Sequence, residues 1–191
     1  MEFRLAGARI RVSFFFLLML ALFLLQDQFQ LAPILIFSML FHELGHLLLL
    51  CLWGKRITGL TLTPFGIGIT TPTTTRLSYG KEISIVLAGS LVNLLLAGIF
   101  YCLPNGALAS AINLVMGLFN LLPILPLDGG QALNYWMERR GAVSWWPAYL
   151  VTGLALALLY GLSFALALRG RGYGMVCASL FLTIQLIWRR A

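Results

Sequence analysis

The chain has 191 residues, of which 60% are apolar and only 10% charged, with a formal net charge of +7. Soluble domains carry about 25% charged residues, so this composition excludes an ordinary soluble domain. Lys and Arg stand singly or in pairs rather than in a run, which argues against nucleic acid as the partner and for a lipid bilayer.

A helix needs about 20 apolar residues to cross the hydrocarbon layer, and six blocks approach or reach that length. The first, Ile10 to Leu25, is short and framed by Arg9 and Arg11, which can snorkel to the interface. No small-residue cleavage site follows it, so it reads as a retained anchor rather than a signal peptide. The second block runs from Leu31 to Trp53. Between Gly54 and Glu82, alternating Ile, Leu and Thr on both sides of Pro64 predict a membrane-associated β-hairpin, with a solvated loop as the alternative. The third and fourth blocks are Ile83 to Leu103 and Ala107 to Leu125. Pro123 and Pro126 should stop the fourth helix, and Gly129 and Gly130 then allow a turn or close packing in a connection from Pro126 to Ser144. Trp145 to Leu168 and Tyr173 to Trp188 complete the set, the last one anchored by Arg189 and Arg190.

The expected fold is therefore an all-α polytopic membrane protein of six transmembrane helices with one short hairpin between the second and third, and 1–191 forms a single transmembrane domain. Six spans place both termini on one side. That side would carry all the Lys and Arg except Arg169 and Arg171, so the positive-inside rule makes it cytoplasmic. Cys51, Cys102 and Cys177 have neither disulfide nor metal-ligand spacing and read as small packing residues.

The chemistry lies in Phe41-His42-Glu43-Leu44-Gly45-His46. Positions i and i+4 share a helix face, so His42 and His46 can reach one metal ion while Glu43 stands beside them to act on water. They are the only two histidines in the chain. An ionised Glu43 in an apolar span costs several kcal/mol without a cation or a water-filled cavity near it. Catalytic zinc takes three protein ligands and keeps one open position, and Asp128, directly after the fourth block and flanked by prolines and glycines, is the natural third ligand. The alternative for Asp128 is a simple loop turn.

The H-E-x-x-H span and the later Phe119-Asn120-Leu121-Leu122-Pro123-Ile124-Leu125-Pro126-Leu127-Asp128-Gly129-Gly130 together resemble the site-2 protease family of intramembrane zinc metalloproteases, and within it the stage IV sporulation protein FB group. Ala88-Gly89-Ser90-Leu91-Val92-Asn93 lies between them as a family-like small-residue segment. The resemblance implies one zinc ion on His42, His46 and Asp128, with Glu43 as general base. It also implies substrate positioning by Asn120 and by a strand containing Leu62, Gly66 and Gly68. Asn120 reads equally as a helix cross-link, and Gly89, Ser90 and Asn93 read as close helix packing. Implied partners are a membrane-associated protein substrate, such as a sigma-factor precursor, and inhibitory membrane proteins. The group typically adds a nucleotide-sensing CBS domain, whereas this sequence predicts the membrane domain alone. A membrane metal-binding protein, whether transporter, sensor or inactive protease relative, is the competing reading.

Overall fold

The computed structural model describes residues 2–5, 8–14, 21, 25, 31–55, 57–63, 66–70, 77–141, 146–167, 180, 183 and 184. Most of the first and sixth predicted spans, with Cys177, therefore lie outside the described residues.

Five helices are described in full: α1 (Ala32–Leu52), α2 (Tyr79–Tyr101), α3 (Ala107–Asn120), α4 (Asp128–Arg139) and α5 (Trp146–Ala167). Each boundary has a local cause. A proline occupies the first turn of α1, where its missing N–H is no loss, and Gly54 at φ +72° ends it in the left-handed conformation that glycine adopts without strain. Ser78 stands in extended conformation at the start of α2, with Glu82 in the first turn to match the positive end of the helix. The fourth predicted span stops as a helix at Asn120, ahead of Pro123.

Two described helices, α1 and α2, are long and apolar enough to cross a membrane, and α3 and Tyr149–Gly161 are shorter apolar segments. Leu40, Leu44 and Leu48 on α1 and Leu91, Leu95 and Ile99 on α2 are exposed at four-residue intervals, so each helix turns an apolar stripe outward. Stripes of this kind suit lipid rather than water. Cys51 and Cys102 are also exposed, so they do not fill the interior as the sequence suggested.

The inner face of α2 is built differently. Ile85, Ala88, Gly89, Ser90, Asn93 and Ala97 are its buried residues, small or polar with the exception of Ile85. Gly45 of α1 packs so closely there that a Cβ would stand 2.8 Å from the Ala88 carbonyl oxygen. Two helix backbones can meet this closely only where side chains are small. α3 lies on the same helix, with Ser110 Oγ donating to the Ala97 carbonyl at 2.8 Å.

The predicted hairpin is present as β3 (Gly59–Thr63) and β4 (Gly66–Thr70), antiparallel with Leu62 opposite Ile67. It is half of a larger sheet. β1 (Glu2–Leu5) and β2 (Ala8–Val12) form a second hairpin, and β2 pairs in parallel with β3, giving the order β1-β2-β3-β4. The first predicted span thus has its opening residues, Ile10 to Val12, in a strand. The Arg-Ile-Arg-Val alternation suits a two-faced strand, and the apolar run after it drew the sequence boundary too early. The second correction is α4, which occupies what the sequence presents as a connection. Its polar residues hide it from a search for apolar blocks, although Asp128 in the first turn and Arg139 in the last match the helix dipole.

Candidate metal centre

α1 carries His42 and His46 on one face, and the close crossing at Gly45 presses that face against α2. Each imidazole is held from behind. His46 Nδ1 lies 2.8 Å from the Ile85 carbonyl oxygen, and His42 Nδ1 lies 2.7 Å from Asn93 Oδ1. The Ile85 carbonyl can only accept, so His46 donates through Nδ1 and its Nε2 keeps a lone pair. The two Nε2 atoms converge at 3.2 Å.

Asp128 reaches the same point from the other side. Its Oδ2 is 3.3 Å from His42 Nε2 and 3.6 Å from His46 Nε2. Ser90 Oγ donates to that oxygen at 2.8 Å, which orients the carboxylate. Three devices aim Asp128. The chain from Leu121 to Leu127, which holds Pro123 and Pro126, is not helical, and Ile124, only 1% exposed, packs against Leu156 of α5. The Leu125 N–H reaches Thr152 Oγ1 of α5 at 3.4 Å. Gly129 and Gly130 then start α4 directly against the backbone of Leu121 to Leu125, where any Cβ would collide, so close packing is their role here.

His42, His46 and Asp128 each offer one ligand atom, and these atoms all lie within 4.8 Å of one another. Two imidazole nitrogens and a carboxylate oxygen are a zinc-type donor set. Gathering such electron-pair donors in a buried place is repulsive unless a cation neutralises them. Gly89 supplies the space, because a Cβ there would run into His46 Nε2 and stand 2.8 Å from His42 Nε2. The residues present therefore fit a divalent metal ion.

Glu43 follows His42 on α1 and is partly exposed beside the cluster. Asn120, at the end of α3, donates to the Met116 carbonyl at 3.1 Å, a bond within its own helix. Leu62 lies on β3, an inner strand of the described sheet, and pairs with Val12 on one side and Ile67 on the other. Gly66 and Gly68 lie on β4, the outer strand. The sequence reading passed over Ser90 and Asn93 as packing residues. The signal that could have found them is polarity, because a buried Ser or Asn in an apolar span must have a partner.

An apolar helical scaffold holding an H-E-x-x-H pair and an aspartate at one point defines the class of membrane-type metallopeptidases. Residues 15–127 match the Peptidase M50B-like family, and residues 106–160 match Peptidase family M50. The chain belongs to the M50B-like peptidases. It is 31% identical over 133 residues to the stage IV sporulation protein FB of Bacillus subtilis, covering 65% of this chain and 46% of that protein. A zinc metalloprotease of Methanocaldococcus jannaschii is 31% identical over 114 residues, or 54% of this chain and 33% of that one. The chain thus spans about a third to a half of the length of the relatives it matches. The solved site-2 protease of the same archaeon shares the fold, with a TM-score of 0.62, 23% identity and coverage of 95% of this chain and 91% of that one.

Proposed function

We propose that this chain is a zinc-dependent intramembrane endopeptidase that cuts a peptide bond within or near a membrane-associated segment of a protein substrate. The observation that carries this reading is the convergence of His42 Nε2, His46 Nε2 and Asp128 Oδ2 with Glu43 next to them in sequence. His42, His46 and Asp128 hold one zinc ion per chain, which when bound supplies a Lewis acid that activates water near neutral pH. Glu43 takes the proton from the attacking water and returns it to the leaving amine. Burial of the cluster between α1, α2 and α4 keeps bulk water out and strengthens each of these contacts.

A helical substrate hides its own peptide bonds and must unwind before a carbonyl can reach the centre. The outer edge of β4, with Gly66 and Gly68, offers backbone groups that replace the lost hydrogen bonds. Leu62 acts through the sheet, by holding β4 in register, and Asn120 acts as a helix lock. The working arrangement is six spans in one domain with both termini in the cytoplasm, inside the cell membrane. A sigma-factor precursor and inhibitory membrane proteins fit as substrate and regulators by analogy with the sporulation relative.

The test is co-expression with a panel of tagged single-span and sigma-precursor substrates, comparing wild type with Glu43→Gln. Loss of cleavage by the variant with zinc retained supports a metallopeptidase. A variant that cleaves as well as wild type removes Glu43 from the mechanism.

A further inference from the structure

Two asparagines that take no part in the proposed reaction lie in line behind His42, and both have 0% exposure. We infer that Asn113 and Asn93 form a polarised relay that holds His42 as its Nδ1–H tautomer and leaves the Nε2 lone pair for a metal ion. The inference rests on the reading of His42, His46 and Asp128 as metal ligands, and makes Asn93 and Asn113 positioning residues for it.

An amide presents an oxygen and an NH2 of nearly the same shape, so its orientation follows from what each end must touch. The far end of the relay decides. Asn113 Nδ2 lies 2.9 Å from the Ala109 carbonyl oxygen, which can only accept. Asn113 Oδ1 therefore turns to Asn93, where it accepts from Nδ2 at 3.0 Å. Asn93 Nδ2 also meets a second pure acceptor, the Ser38 carbonyl oxygen, at 3.3 Å. Both of its amide hydrogens are then engaged, and Oδ1 is left facing His42 Nδ1 at 2.7 Å, where only an N–H can complete the bond.

Reversing either amide would set oxygen against oxygen. Asn93, Asn113 and Ser38 are all fully buried, so no solvent relieves such a contact. The contrast with His46 explains why a relay is needed. His46 touches a backbone carbonyl directly, whereas His42 touches a side chain that could face either way. The carbonyls of Ser38 on α1 and Ala109 on α3 pass their polarity to His42 through Asn93 on α2, which ties three helices to one tautomer.

The experiment uses the full chain in lipid nanodiscs with 15N-labelled histidine, where two histidines give only four ring-nitrogen signals. Zinc-free wild type is expected to show the neutral His42 protonated on Nδ1. Asn113→Leu should give a mixture of tautomers and a zinc affinity lower by roughly 3- to 10-fold in chelator competition, somewhat less than the about 10- to 100-fold typical of a direct ligand partner. Asn113→Asp, neutral in this buried place, donates its O–H to the Ala109 carbonyl while its other oxygen still accepts from Asn93, and should restore both signals. A purely structural cross-link would lower the thermal midpoint of the Leu variant without moving the tautomer, and that result overturns the relay. So does an Asp variant with mixed tautomers, which keeps the test decisive if the Leu variant does not fold. Wild-type protein that takes up no zinc overturns the metal reading itself, whereas zinc uptake by a protein whose zinc-free form has His42 protonated on Nε2 overturns the relay alone.

Discussion

Gly89→Ala places one methyl group at the most crowded point of the site. The new Cβ would meet His46 Nε2 and stand 2.8 Å from both His42 Nε2 and His46 Cε1, well inside van der Waals contact. The rings have little freedom to step aside, because each is tied at Nδ1, to Asn93 and to the Ile85 carbonyl. Overpacking by one methyl in such a place costs about 1–3 kcal/mol. If this strain falls on the metal-bound geometry, zinc affinity drops by roughly 5- to 150-fold at about 1.4 kcal/mol per tenfold. Alanine is the better helix former, so α2 should keep its helicity. Chelator competition on the purified variant, with circular dichroism as the control for folding, reads both effects. A Gly89→Ala protein that is fully helical and binds zinc within twofold of wild type would refute the argument that this glycine makes room for the ligands.

Three further outcomes follow from the same contacts. Ser90→Ala removes the 2.8 Å bond to Asp128 Oδ2 and should weaken zinc binding by roughly 10-fold in chelator competition, the low end for a group that orients a ligand. Thr152→Val keeps the shape of a buried side chain but deprives the Leu125 N–H of its acceptor, and at 3.4 Å that bond should be worth about 1 kcal/mol, visible as a lower thermal midpoint. Lys55 Nζ and Glu82 Oε1, 2.8 Å apart, join the end of α1 to the start of α2, so Glu82→Gln and Lys55→Met should each cost about 1 kcal/mol. The double variant should cost less than their sum in a thermal double-mutant cycle.

The cluster of His42, His46 and Asp128 was legible because the chemistry of these residue types makes them conspicuous. Two histidines at i and i+4 in an apolar span, with an aspartate after a proline-broken helix, have few other uses, and the structure brings all three ligand atoms together. The helices α1, α2 and α5 were legible from length and hydropathy, with ends within a few residues of the expected ones. The parallel pairing of β2 with β3 was not, because it joins residues some fifty positions apart, Ile10 with Leu60, and leaves no local pattern. The inner position of β3, and of Leu62 on it, was hidden for that reason. α4 escaped because a polar helix gives no signal to a search tuned to lipid. The supports behind the ligands escaped because small and polar residues in a span look like packing until their partners are known, and Asn93 and Ser90 belong to helix packing and to the site at once.

In the function proposed for this chain, metal held by His42, His46 and Asp128 drives peptide cleavage in the membrane. Its most direct test is to reconstitute the full chain with a single-span substrate in vesicles, measure zinc per chain, and follow cleavage through chelation and zinc repletion. One zinc per chain is expected, with cleavage that stops on chelation and returns with zinc, and no return in Asp128→Ala. Cleavage that persists after the zinc has been removed would contradict it.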